Sequence, residues 1–235
     1  MLRERLRTML FGPQGEPAVW DRADLPPAYA ASGAATAQAP IPNGWERHSH
    51  GLEQFFSGIP SQAGLSILDL GEINQAKVSF ITDLGHRLYS EDFLHALDSE
   101  FVRGSTDGQA NPQRITEFLD QTLDFPPHHF DGVLAWDTLE YLGRPLLAKV
   151  VERLHSILRP QGSLLALFHS DEKAETLPLY SYRIWDARTL FVSPRGSRPP
   201  AQSFNNRSIE KLFQDFHSVK FFLTRDHLRE VIVRR

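Results

Sequence analysis

Three short apolar stretches limit most strongly what this chain can fold into: Ser66-Ile67-Leu68-Asp69-Leu70, Gly132-Val133-Leu134-Ala135-Trp136 and Ser163-Leu164-Leu165-Ala166-Leu167-Phe168. None alternates apolar with polar residues, so none suits a sheet with one wet face. Continuous apolar runs of this length belong to strands covered on both sides, the usual state of a parallel sheet. The intervening segments agree. Ile73, Phe80, Ile81 and Leu84, followed by Gly85 as a left-handed stop, mark a helix after the first run. Leu146, Leu147, Val150, Val151, Leu154, Ile157 and Leu158 form a broad helical stripe, with Pro145 in the first turn and Pro160 just past the end. Strand-then-helix repetition predicts an α/β domain with a Rossmann-like open sheet, mostly parallel, and helices on both faces.

The remaining elements follow from the same signals. Arg87–Tyr89 reads as the second strand, with Ser90 as N-cap of a helix through Leu94 and Leu97. Residues 103–113 read as a loop. Ile115, Phe118, Leu119 and Leu123 then share a helical face, or Glu117–Leu119 is a short third strand. Tyr180–Ile184 and Thr189–Val192 suggest an inserted hairpin over about 178–196. Ser208 is placed to cap a helix carrying Ile209, Leu212, Phe213 and Phe216. Val219–Thr224 and Glu230–Arg234 are joined by too short a link for a parallel crossover, so the last strand should be antiparallel.

The domain is expected over 51–235, preceded by a different kind of segment over 1–50. Leu2, Leu6, Met9 and Leu10 form an amphipathic stub that can dock on the domain, on a partner or on an anionic membrane. From Gly12 to about Arg47 the chain is rich in Pro and Ala, the composition of a linker or surface arm. Its 25 basic and 29 acidic residues give a net charge of −4, so no chain-wide attraction to nucleic acid is indicated. Cysteine is absent, which excludes disulfides, thiolate metal ligands and a cysteine nucleophile. The N-terminus lacks the apolar core of a signal peptide and no run is long enough to span a bilayer, so a cytoplasmic location is expected.

In order along the chain stand Leu68-Asp69-Leu70-Gly71, the acidic Glu91, Phe130-Asp131-Gly132-Val133-Leu134 and Leu158-Arg159-Pro160-Gln161-Gly162. Together with two closing strands, these resemble the landmarks of class I S-adenosylmethionine-dependent methyltransferases over roughly 51–235. The resemblance implies S-adenosylmethionine as cofactor. It places Asp69, Gly71 and Asn74 at the methionine portion, Glu91 or Asp92 at the ribose hydroxyls, and Asp120 with Gln121 near the adenine. The residues alone leave a second reading open, since Asp69, Glu91 and Asp92 also suit helix starts. One departure stands out: the family's glycine-rich loop here reads Asp69-Leu70-Gly71-Glu72-Ile73-Asn74-Gln75, without its second and third glycines. β-Branched Ile73 does not tolerate positive φ, so the loop should follow another path.

Trp136-Asp137-Thr138-Leu139-Glu140-Tyr141 leaves the fourth strand where, in relatives, methyl group and acceptor meet. Asp137 is polar where a core would not want it and is the leading catalytic candidate, with Trp136 and Tyr141 on the substrate side. His169, after the fifth strand, is a candidate general base or a plain loop histidine. The basic, polar segments Arg195–Pro200 and Asn205–Arg207 suit an acidic or phosphate-bearing substrate or a solvated loop. His48-Ser49-His50 and His128-His129 lack enough partners at ligand spacing, so no metal site is expected. Two functions remain open: methyl transfer to a small molecule or protein, or an inactive methyltransferase-like module that binds a protein partner through residues 1–47.

Overall fold

A computed structural model describes residues 44–59, 62–102, 105–224 and 228–235. The stub and nearly all of the Pro/Ala-rich arm lie outside the described residues. The order is β1 (Trp45–His48), α1 (His50–Gly58), β2 (Ser66–Asp69), α2 (Gln75–Asp83), β3 (Arg87–Ser90), α3 (Phe93–Glu100) and α4 (Pro112–Thr122). Then follow β4 (Phe130–Trp136), a 3₁₀ turn (Thr138–Tyr141), α5 (Arg144–Ile157), β5 (Leu158–His169), β6 (Leu177–Asp186), β7 (Thr189–Arg198), α6 (Asn206–Leu212), β8 (Ser218–Leu223) and β9 (Leu228–Arg234).

Six strands form one sheet in the order β3-β2-β4-β5-β9-β8. The first four run parallel, and β9 is antiparallel to both β5 and β8. The expected α/β architecture, with its antiparallel last strand, is therefore present. The three apolar runs are β2, β4 and the end of β5, and each is buried along its length because helices or the hairpin cover both faces. On one face pack Phe93 and Leu97 of α3, Phe118 of α4, Leu154 of α5 and Ile209 of α6. On the other lie Leu52 and Phe55 of α1, Ile81 of α2, and Tyr182, Ile184, Leu190 and Val192 of the hairpin. Gly132 allows this close cover, since a Cβ there would lie 2.4 Å from the Phe55 ring.

Local boundaries differ from the sequence expectation where side chains compete for a cap. Asp92, not Ser90, caps α3 by accepting from the His95 N–H; Ser90 remains paired in β3. Asn205 caps α6, with Ser208 three residues on completing a reciprocal capping box. Residues 117–119 are helical within α4, because Asn111 and Pro112 start a helix whose Ile115 and Phe118 reach the core. The hairpin is longer than its apolar residues suggest, and β1 pairs with β7 to make a separate sheet of three strands.

One buried ion pair joins the two sheets. Arg47 of β1 contacts Glu230 of β9, and both side chains are almost wholly buried. Glu230 also accepts the Gly51 N–H at 2.5 Å, and Arg47 donates to Thr224 Oγ1 at 3.1 Å. Removing one member leaves the other charge buried and uncompensated. Arg47→Ala should therefore lower stability by about 3–5 kcal/mol, measured by chemical denaturation.

Candidate functional site

The chain leaves β2 toward β3 on one side and later returns to form β4 on the other. At this switch point the loops following the two strands diverge, and open α/β sheets bind ligands in the resulting crevice. Here the crevice is framed by Asp69-Leu70-Gly71 and Trp136-Asp137.

Asp69, fully buried, organises the crevice floor. Its Oδ1 accepts from the Gly71 N–H at 3.1 Å and from Trp136 Nε1 at 2.5 Å, while Oδ2 is paired with the buried ammonium of Lys77. Trp136 has φ of +51°, a conformation that bulky residues avoid. Its ring is fixed there by Asp69 and by stacking on Tyr182 of β6, with centroids 4.8 Å apart and planes 7° from parallel. Gly71 is required on the near side, since a Cβ would meet Trp136 Cδ1 at 2.7 Å. Asn74 caps α2 through the Lys77 N–H and donates to the Tyr182 carbonyl at 2.9 Å, which ties the loop to the hairpin. The loop thus does without its missing glycines: Ile73 is half exposed, outside the crevice, and α2 begins at Gln75. What remains is a cavity of about 10 Å³, the space of roughly one water. Trp136, Tyr180, Tyr182, Lys77 and Arg195 are among its walls.

Beside this cavity lies a second buried polar group. Glu140 accepts from the His169 backbone N–H at 3.0 Å, and its other oxygen lies 2.7 Å from His169 Nδ1. Asp137 and Tyr141 flank the pair, and His169 stacks on Tyr180. Burial raises the Glu140 pKa to about 6, against the opposing hydrogen bond and charge of His169. Burial alone would lower His169; the hydrogen bond and charge of Glu140, with the charge of Asp137, outweigh it and raise His169 above its ordinary value. Asp137 is also raised, chiefly by burial, with His169 acting against this. Asp137 shares a side-chain hydrogen bond with Tyr182, whereas His169 Nε2 and Tyr141 Oη have no hydrogen bond among the described residues.

The structure therefore brings together Asp69, Gly71, Asn74, Trp136, Asp137, Tyr141 and His169 from those the sequence suggested. Glu91 follows β3 and donates its backbone N–H to the Asp69 carbonyl, whereas the Asp92 side chain is engaged as a helix cap. Asp120 and Gln121 stand on the exposed side of α4 and do not line the crevice, because residues 117–119 take the helical reading and not the alternative short strand. In the basic stretch, Arg195 pairs with Glu72 at 3.5 Å and Arg198 with Asp98 at 2.8 Å, so both guanidinium groups already have internal partners. Sequence reasoning missed Lys77, Glu140, Tyr180 and Tyr182 as site residues. Lys77 had a visible signal: it stands four residues before the apolar Ile81 and so on the same helical face, where a buried lysine needs a partner.

No family model matches this chain, and no curated protein matches it by sequence. Solved structures similar in fold include the 1,6-didemethyltoxoflavin-N1-methyltransferase of Burkholderia thailandensis, crystallised with 1,6-didemethyltoxoflavin and S-adenosylhomocysteine. It is 14% identical, with TM-score 0.40 over 74% of this chain and 72% of that one. A SAM-dependent methyltransferase of Aquifex aeolicus is 12% identical, with TM-score 0.40 over 78% and 88% of the two chains. One from Mesorhizobium loti is 13% identical, with TM-score 0.42 over 77% and 95%. These likenesses are distant, and the fold assignment rests on strand order and direction.

Both members of the Glu140–His169 pair hold their protons more tightly in the folded chain than in the unfolded one. For Glu140 this stabilisation is complete below its ordinary pKa of 4.5 and is lost as pH rises through about 6. For His169 it is complete below 6.5 and is lost as pH rises through its higher folded value. Glu140→Gln removes the main group that raises His169. The His169 Cε1 proton should then titrate below 6.5 by NMR, instead of above it as in the wild type.

Proposed function

We propose that this chain, an open α/β sheet with an antiparallel strand inserted at its C-terminal end, carries out S-adenosylmethionine-dependent methyl transfer to an acceptor that loses a proton. The observation carrying this reading is the buried constellation of Asp137, Glu140, Tyr141 and His169 at the carboxyl ends of β4 and β5, in which His169 Nε2 and Tyr141 Oη lack a hydrogen bond. Each such atom costs about 1–3 kcal/mol when buried. The protein supplies no partner to either atom, and a polar acceptor would supply one. With Glu140 engaged at Nδ1, His169 presents Nε2 as its remaining proton-accepting nitrogen, the arrangement of a general base oriented by a carboxylate. Glu140 is then a positioning residue.

In the closed arrangement the cofactor itself does not fit. Cofactor pockets occupy roughly 300–1,000 Å³, whereas this cavity offers about 10 Å³. Asp69 and Asn74 are both engaged by protein groups. Space at the strand ends requires the β6–β7 hairpin, which supplies Tyr180, Tyr182 and Arg195, to move away from the sheet. Asp69, Gly71, Asn74 and Glu91 would then face the ligand, and the cofactor would supply the methyl group.

A second reading has its own observation. The buried Asp69–Lys77 pair and the Trp136–Tyr182 stack fill the crevice from within, as expected of a methyltransferase-like module that binds a protein partner without catalysis. In either reading, no helix among the described residues is long and apolar enough to cross a membrane.

Thermal denaturation of the full chain with S-adenosylhomocysteine separates the two. The transfer reading expects a concentration-dependent rise in Tm, equivalent to about 2.7 kcal/mol at a hundred times Kd. Glu91→Ala should abolish the rise, and amide exchange across Leu177–Arg198 should change when ligand binds. An unmoved Tm at millimolar ligand would overturn methyl transfer and leave the binding module.

A further inference from the structure

Away from the crevice, the end of β1 and the start of α1 gather nitrogen and oxygen donors at the surface. His48 is the last residue of β1, His50 the first of α1, and Glu53 lies one helical turn further on. Their ligand atoms all lie within 4.8 Å of one another. His50 Nδ1 is 3.7 Å from Glu53 Oε2, and the two imidazole rings are 4.5 Å apart. From these contacts the structure assigns a surface site for zinc, or a divalent ion of similar character, to His48, His50 and Glu53, with the fourth position open to water.

Chemistry and geometry support the assignment separately. Two imidazoles and a carboxylate suit zinc and the later transition metals, whereas magnesium and calcium prefer oxygen ligands alone. Zinc bonds of about 2.0–2.2 Å place tetrahedral donors about 3.4 Å apart. The observed separations exceed this by at most 1.4 Å, from 4.8 Å, and the exposed side chains of His50 and Glu53 can turn to remove it. The backbone carrying the ligands is fixed. Arg47 is anchored to Glu230; buried Ser49 donates its N–H to the Arg188 carbonyl and caps α1; and the Gly51 N–H is held by Glu230. Both histidines therefore flank an immobilised residue, which reduces the ordering needed on binding. Bound metal would link the end of β1 to the first turn of α1.

The test is calorimetric titration of the full chain, stripped with chelator, with zinc sulfate and separately with magnesium sulfate. About one zinc per chain is expected, with no magnesium response and a rise in Tm. His50→Ala and Glu53→Gln should each weaken binding roughly ten-fold or more, since even residues behind a metal's ligands contribute that much. His128→Ala should leave it unchanged. Absence of zinc binding, or equal affinity in the His50→Ala variant, would overturn the assignment. Both variants are at exposed side chains, so an unchanged denaturation midpoint without metal verifies that the fold is intact.

Discussion

A carboxylate removed from water must meet a positive charge or a proton, and this requirement governs how the parts of the molecule meet. Asp69, Glu140 and Glu230 are all buried at or above 98%. Each is answered from another element: Lys77 of α2, His169 of β5 and Arg47 of β1. The contacts differ in what they fix. Arg47–Glu230 holds the small sheet against the large one, Asp69–Lys77 closes the switch-point crevice, and Glu140–His169 orients an imidazole. Such pairs add little net stability relative to a well-packed apolar core, but losing one partner is severe, so they fix geometry more than they add stability.

The crevice shows how a fold accommodates an altered loop. With Ile73 where a glycine is expected, the backbone cannot wrap closely around a ligand, and the space is taken by Trp136. Trp136 is held in an unfavourable backbone conformation by groups from three elements, Asp69 of β2, Lys77 of α2 and Tyr182 of β6. Strained residues held in this way concentrate at functional positions. The hairpin is both the cover over the crevice and part of its wall.

Much of the architecture was legible along the chain because burial on both faces leaves a local imprint. β2, β4 and β5 are apolar without alternation, and α5 carries its stripe between Pro145 and Pro160. Helix starts were less legible. Ser90 and Asp92, or Asn205 and Ser208, can each serve, and the choice depends on which residue the preceding strand or loop holds. The third strand was misplaced as an alternative for the same reason: residues 117–119 have no strand pattern of their own, and α4 is decided by the contacts of Ile115 and Phe118 with the core.

For the site, the sequence by itself determined which polar residues stand at strand ends: Asp69, Glu91, Asp137 and His169 fall there because each ends an apolar run or follows a strand. It also determined that the loop after β2 could not be glycine-rich. Only the tertiary structure decided what those residues face. Lys77 reaches Asp69 across the crevice mouth, Tyr182 comes from a hairpin 108 residues beyond Asn74 to accept its hydrogen bond, and Glu140 meets a histidine 29 residues away. Asp120 and Gln121 turn outward on a helix. The physical reason is that pairing of buried charges is set by through-space distance, which strand order fixes and local sequence pattern does not record.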